Sequence, residues 1–272
     1  MANDPTLPSA DCPLTTERLR TALGARQFRL IAHTASTNDD AREWAMAGAP
    51  AGAVVIAEEQ TAGRGRFGRA WIAPPGTALL FSVVLRPPPD PARIAQVPMA
   101  GAVAVIETLR ALSGTHPAAI DLKWPNDVHI AGRKVAGILS ESTWQGEILQ
   151  AVILGIGINV RVDFTGTPLA ETATSIEPAL GIRVDRAALL ADLLESLGRW
   201  VARAGEEALF AAWRAALTTL GRQVTARLLG AESQAIGGLA VDVDDDGALL
   251  LRAGDGTLRR VVAGDVTLES VG

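Results

Sequence analysis

The chain has one cysteine, Cys12, in 272 residues. A single thiol closes no internal disulfide, which agrees with a reducing compartment. Its place in the N-terminal stretch makes it a tail residue rather than a catalytic thiol. The first sixteen residues also lack a basic start followed by an apolar run, the pattern of a secretory signal. They carry Asp4, Asp11 and three prolines instead. No stretch approaches the roughly 20 apolar residues that cross a bilayer as a helix. Positive charge is not in excess either. The formal net charge is -5, which argues against non-specific nucleic-acid binding, since that draws on summed positive charge. There is no long repeat and no low-complexity linker. These absences point to a cytoplasmic protein with no membrane partner.

What is present suits a folded protein: 48% hydrophobic and 20% charged residues. Residues 1–26 read as an N-terminal tail with one short helix over 15–23. A strand over 28–32 opens the folded part. Ser36, with Asp39 three positions on, marks a helix start, and that helix runs to Gly48. Strands are expected over 53–58 and 79–85, a helix over 94–112, then strands over 119–123, 128–130, 134–141 and 148–160. This order argues for an α+β fold, a mixed sheet with helices on one face, rather than regular βαβ alternation. Two helices follow, over 186–204 and 206–220, with Gly221 as a stop. From residue 222 short strands and turns dominate (223–229, 234–243, 248–253 and 258–262), the pattern of a small barrel. The expected division is a tail over 1–26, a catalytic domain over 27–221 and a small β domain over 222–272.

The strongest local signal is Gln60-Thr61-Ala62-Gly63-Arg64-Gly65-Arg66-Phe67-Gly68-Arg69-Ala70-Trp71. Gly63, Gly65 and Gly68 match G-x-G-x-x-G, but Pro74 and Pro75 follow, so no helix opens at the third glycine as a dinucleotide fingerprint requires. A single arginine-glycine copy in an acidic chain is weak as an RNA-binding segment. A flexible surface turn is the plain alternative. Arginines alternating with glycines can also fold over a polyanion, offer fork-shaped donors to phosphate or carboxylate, and reopen, as a closing lid does.

The second signal is Lys123-Trp124-Pro125-Asn126-Asp127, then Gly132-Arg133-Lys134-Val135-Ala136-Gly137. Pro125 turns the chain after a strand and gathers Lys123, Asn126 and Asp127 at the strand end. Lys134 returns on the next strand beside a turn at Ala131-Gly132. Either lysine alone would suit an ordinary charged hairpin. Gly137, and the run Gly155-Ile156-Gly157-Ile158-Asn159, place glycines inside apolar strands. That suggests close approach of a ligand or of another backbone, with a structural bulge nearly as good a reading. Asp242 to Gly247 imitates the start of a calcium loop, but its twelfth position is Ala253, where a bidentate Glu is required. Asp246-Gly247 reads better as a hairpin turn. His33, His116 and His129 are scattered, and no metal site is expected.

Taken together, these segments resemble the catalytic region of the biotin–protein ligases, where G-R-G-R-x-G-R-x-W is followed by K-W-P-N-D, R-K-x-x-G and G-I-G-I-N. All four stand here in that order. Each is weak to moderate alone; the ordered set is highly specific. The resemblance spans roughly 30–160 and, more loosely, the C-terminal strands. It implies a core related to class II aminoacyl-tRNA synthetases with a small SH3-like β-barrel appended. It implies ATP-dependent activation of biotin as biotinyl-5'-AMP and transfer to a lysine of a biotin carboxyl carrier protein, with Mg²⁺ carried by ATP. Ser36, Thr37, Asn38 and Gln60 match the positions that hold the biotin head. Arg64, Gly65 and Arg66 match the loop over the biotin carboxylate, and Lys134 and Gly137 complete that end. Arg69, Trp71, Lys123, Asn126 and Asn159 match positions around ATP. Lys134, Arg66, Arg64 and Lys123 are the expected catalytic residues. Asp127 either helps place Mg²⁺ or assists the attacking amine.

Some members of that family carry a helix-turn-helix domain. About thirty residues precede the catalytic region here, too few for one, so no specific DNA binding is expected. The oligomeric state is open, with a homodimer among the options. Lipoate–protein ligation, a non-enzymatic biotin sensor and, remotely, an RNA-binding module are the competing readings.

Overall fold

The computed structural model describes residues 13–86, 90–114, 119–228, 235–262 and 264–268. The readings of Cys12 and His116 fall outside them. The helices are α1 (Thr16–Leu23), α2 (Thr37–Met46), α3 (Pro91–Ser113), α4 (Ile176–Leu180), α5 (Arg186–Ala202) and α6 (Glu207–Ala215). Seven strands form the main sheet: β1 (Phe28–Thr34), β2 (Val54–Gln60), β3 (Ala78–Leu85), β4 (Ile120–Lys123), β5 (Asp127–Ile130), β6 (Arg133–Gln145) and β7 (Ile148–Asn159). Their order is β1-β2-β3-β7-β6-β5-β4. β1 and β2 run parallel, joined by α2; the other neighbours are antiparallel.

Helices cover both faces of this sheet, not one. All eight residues of β3 are buried, because its apolar run leaves neither face fit for water. Val54, Ile56, Leu79 and Phe81 enter the main core with α3, α5 and α6. Val55, Val84 and Ile153 face Ala41 and Ala45 of α2 on the other side. α2 therefore stands apart from the other helices, with its N-terminus beside the end of β2.

α1 is capped by Thr15, whose hydroxyl accepts the N–H of Arg18 at 3.2 Å. Its Leu19 is fully buried, and α1 packs on α5. α3 corrects the expectation about membrane spans. Its stretch Arg93–Ser113 reaches a mean hydropathy of 1.2, enough in length and composition to cross a membrane, yet 67% of it is buried inside the protein. It is a core helix.

The helix expected over 206–220 ends at Ala215. Beyond it, the carbonyl of Ala216 accepts the N–H of Leu122 at 2.9 Å, and the N–H of Thr218 donates to the carbonyl of Leu122 at 2.9 Å. Residues 216–218 thus satisfy the free edge of β4, whose unpaired backbone groups outweigh one more helical turn.

The small β unit comprises β8 (Gln223–Leu228), β9 (Ala235–Val243), β10 (Leu249–Arg252), β11 (Leu258–Val261) and β12 (Gly264–Leu268). It is antiparallel in the order β11-β10-β9-β8-β12. The calcium-like run is its β9–β10 turn. Asp244 and Asp246 accept the N–H of Ala248 at 2.9 and 3.1 Å, and Gly247 takes a φ of +84°. The Gly247 carbonyl accepts the indole N–H of Trp124 at 2.8 Å. One turn of the small unit therefore buttresses the loop after β4.

Candidate active site

The site is a cavity of about 550 Å³ where the N-terminus of α2, the 61–71 segment and the ends of β4 to β7 meet. Each residue singled out from the sequence lines it: Ser36, Thr37, Asn38, Gln60, Arg64, Gly65, Arg66, Arg69, Trp71, Lys123, Asn126, Asp127, Lys134, Gly137 and Asn159.

One end is polar and uncharged. Gln60 Oε1 accepts the Thr37 N–H at 2.8 Å and the Thr37 hydroxyl at 3.0 Å. The Ser82 hydroxyl lies 2.7 Å from Thr37 Oγ1 and 2.6 Å from Asn38 Oδ1, while Asn38 Nδ2 donates to Glu141 Oε2 at 2.6 Å. The Asn38 amide is thus engaged at both ends and sets geometry. Ser36 is buried at the start of α2 and makes no cap bond. Its hydroxyl and Gln60 Nε2 remain for a ligand among the described residues.

The 61–71 segment is a hairpin. Gly65 N–H donates to Arg69 O at 2.6 Å and Trp71 N–H to Gly63 O at 2.9 Å. A short 3-10 turn, Arg66–Gly68, makes its tip. At its base Trp71 lies across two strand glycines: a Cβ on Gly137 would sit 3.0 Å, and one on Gly157 2.8 Å, from the indole ring. The close approach inferred from those glycines is this ring. Among the described residues the indole N–H is buried with no acceptor, a state that costs about 1–3 kcal/mol when nothing fills it.

The other end is cationic. Ala131 and Gly132 take φ of 49° and 76° and return the chain tightly from β5 to β6. That places Lys134 Nζ 2.7 Å from Asp127 Oδ1 and 5.5 Å from the centre of the Trp71 ring. The Lys134 backbone is held on both sides, its N–H by Thr172 O at 2.8 Å and its carbonyl by Thr174 N–H at 2.9 Å. Asn126 Nδ2 donates to Ile138 O at 2.6 Å, and Asn159 Nδ2 to Thr174 O at 3.1 Å. Both asparagines therefore clip backbone in place, and among the described residues their side-chain oxygens keep room for a ligand.

Sequence reasoning missed several lining residues: Phe81, Trp124, His129, Phe164, Leu169, Thr172, and Gly264 and Thr267 of β12. His129 had a usable signal, standing two residues past Asp127 in a period-2 strand, so both face one way. Burial pushes its imidazole from the ordinary 6.5 down to about 4, with Lys123 and Lys134 adding to the effect and Asp127 opposing it. It is neutral at pH 7. An unfolded histidine takes a proton near 6.5 and the folded one refuses it, so stability falls as pH drops from 6.5 towards 4. The slope for this one group is at most about 1.4 kcal/mol per pH unit. Urea unfolding of wild type and His129→Gln at pH 6.5 and 5 checks this: the wild-type midpoint should drop more. Equal drops would mean that the imidazole titrates normally.

A mixed sheet ending in a cation-lined cavity beneath an arginine-glycine hairpin defines a class of protein. The model of the Biotin/lipoate A/B protein ligase family matches residues 30–159, and that of the Biotin protein ligase C terminal domain matches residues 219–268. The biotin--[acetyl-CoA-carboxylase] ligase of Mycobacterium tuberculosis is 37% identical over 267 residues, 93% of this chain and 95% of that protein. The bifunctional ligase/repressor BirA of Bacillus subtilis is 34% identical over 238 residues, 86% of this chain and 71% of that protein. Among solved structures, the biotin protein ligase from Aquifex aeolicus in complex with biotin and ATP superposes with a TM-score of 0.74 at 26% identity, over 89% of this chain and 98% of that one. The chain belongs to the biotin protein ligase family.

Proposed function

We propose that this chain is a biotin–[acetyl-CoA-carboxylase] ligase, which joins biotin to ATP as biotinyl-5'-AMP and passes the biotinyl group to a lysine of a biotin carboxyl carrier protein. The observation that carries the reading is the polarity of the cavity: uncharged hydrogen-bonding groups at one end, and Lys134 and Lys123 at the other. Ser36 and Gln60 suit the neutral ureido head of biotin. The cationic end suits a carboxylate beside an α-phosphate. The relatives named as ligases, and the structure holding biotin and ATP, support the same assignment.

Two anions must meet, so the barrier is chiefly repulsion and positioning. An ionised carboxylate needs no general base. It needs fixed positive charge where negative charge builds up. Lys134, Lys123, Arg66 and Arg69 supply it, Asp127 fixes the Lys134 ammonium, and Arg64, paired with Asp39, holds the hairpin. The orphan Trp71 N–H would find an acceptor on the ligand. Among the described residues no three His, Cys, Asp or Glu converge on a metal position. Mg²⁺ would arrive on the phosphates of ATP.

The adenylate must be kept from water and stray amines until the carrier docks, which is the task of the hairpin. Arg66→Gly should raise labelling of bystander proteins; labelling no higher than wild type would count against the lid. The rest of the reading is a cytoplasmic enzyme without specific DNA binding, with a catalytic unit over 27–221 and a small β unit over 222–272. The test is transfer of biotin, with ATP, to a purified carrier domain, and lipoate with its own carrier in parallel. Labelling that needs ATP, biotin and the acceptor lysine is expected. Transfer of lipoate alone would move the chain to that sister activity. Biotin binding without transfer would make it a sensor.

A further inference from the structure

Arg64 lines the cavity, but its guanidinium is not held by the cavity wall. It forms a two-pronged pair with Asp39 on the first turn of α2, at 2.6 and 2.8 Å. Asp39 also accepts Arg42 at 2.8 Å, and Arg42 reaches Glu141 of β6 at 3.0 Å. Arg64 itself comes within 3.6 Å of Glu141. The same Glu141 oxygen takes the Asn38 amide. Two acids and two arginines thus tie the hairpin, α2 and β6 into one neutral cluster at the mouth of the site. Asp39 is not among the residues that line the cavity. Its carboxyl is held below the ordinary range, the Arg64 hydrogen bond being the largest cause.

A two-pronged arginine–carboxylate pair fixes the plane and direction of the guanidinium as well as its distance. Gly63 and Gly65 flank Arg64 in the hairpin, so its own backbone imposes little direction. We infer that Asp39 is the positioning residue of the arginine-glycine hairpin: it holds Arg64, and through Arg64 the closed lid, over bound biotin and its adenylate. It touches no reacting atom. This rests on the biotin-activating reading above.

The pair is about two-fifths exposed on both sides, so solvent screens it and the effect is moderate. Asp39→Asn keeps size and loses the charge. It should raise the KM for biotin and the rate of escape of biotinyl-adenylate by about fivefold each, with kcat for pyrophosphate release within about twofold. Asp39→Glu, which keeps a carboxylate, should recover most of the loss. In a double-mutant cycle with Arg64→Gln the two changes should be non-additive, because Asp39 acts through Arg64. A general weakening of the fold would move kcat and KM together, and the cycle would then add. Wild-type KM and wild-type retention in a folded Asp39→Asn variant would overturn the inference, and so would additive effects in the cycle. Wild-type protein that transfers biotin throughout keeps this outcome distinct from failure of the functional reading itself.

Discussion

Replacing Lys134 by alanine should lower the rate of adenylate formation by about 10²-fold or more, the usual cost of removing a donor aimed at transition-state charge. The structure gives two reasons to expect a large effect. First, Lys134 is fixed, not floppy: its backbone is bonded on both sides to Thr172 and Thr174, and its ammonium is seated on Asp127 at 2.7 Å. A preorganised charge loses nothing to reorganisation at the moment of reaction. Second, alanine removes the ion-pair partner of the Asp127 carboxylate at a place where two anions must meet. Lys134→Arg keeps the charge but moves it, and should fall between the two. Folding should be barely touched, since a partly exposed ion pair is worth about 0–1 kcal/mol. Single-turnover pyrophosphate release at saturating biotin and ATP is the measurement. A wild-type rate in Lys134→Ala would remove the residue from the chemistry and leave it as a binding or structural group.

How much of this could be read from the sequence differs from element to element. Lys123, Asn126, Asp127 and Lys134 come together through one tight hairpin, and Gln60, Arg64 and Trp71 through another. Short-range geometry is written locally, so these clusters were legible. The strand glycines were legible as places of close approach, though not the identity of the ring that fills the space. What was hidden lies in contacts between distant residues: Asn38 with Glu141, 103 positions apart, and Trp124 with Gly247, 123 apart. Gly264 and Thr267 reach the cavity because the small unit docks there, which no periodicity encodes. β12 is not legible because five residues opening on a glycine give too little alternation. That α2 covers the opposite face from the other helices was not legible for a different reason. Its own pattern shows that it has an apolar face, but which face of a doubly apolar strand receives it depends on the other helices. Asp39 illustrates the limit best: from sequence it reads as a helix-start acid, and it serves as one, while its bonds to Arg64 depend on where the hairpin folds back.

Gly155→Ala should impair biotin binding far more than it impairs the fold, raising the KM for biotin about tenfold or more. The site geometry leaves the added methyl nowhere to go. A Cβ at Gly155 would fall well inside contact distance of Asn38 Oδ1 and 3.0 Å from its Cγ. The Asn38 side chain cannot swing aside cheaply, since its oxygen accepts Ser82 at 2.6 Å and its nitrogen donates to Glu141 at 2.6 Å. Nor can Gly155 retreat, being paired with Ser82 on one side and Leu139 on the other in the middle of the sheet. The start of α2 must therefore move, carrying Ser36 and the Thr37–Gln60 bonds with it. A displacement of about 1 Å in positioning groups can cost 10²-fold, whereas overpacking a core position costs about 1–3 kcal/mol of stability. Two comparison variants separate these effects. Gly157→Ala presses on the Trp71 ring, 2.8 Å away, and should act mainly on the KM for ATP. Gly101→Ala presses on Leu154 and Ile138 at 3.2 and 3.3 Å, so it should lower the melting temperature with little change in either KM. If Gly155→Ala folds and its KM for biotin stays within about twofold of wild type, the polar end of the cavity is not where the head of biotin binds, and the ligand must be placed the other way round.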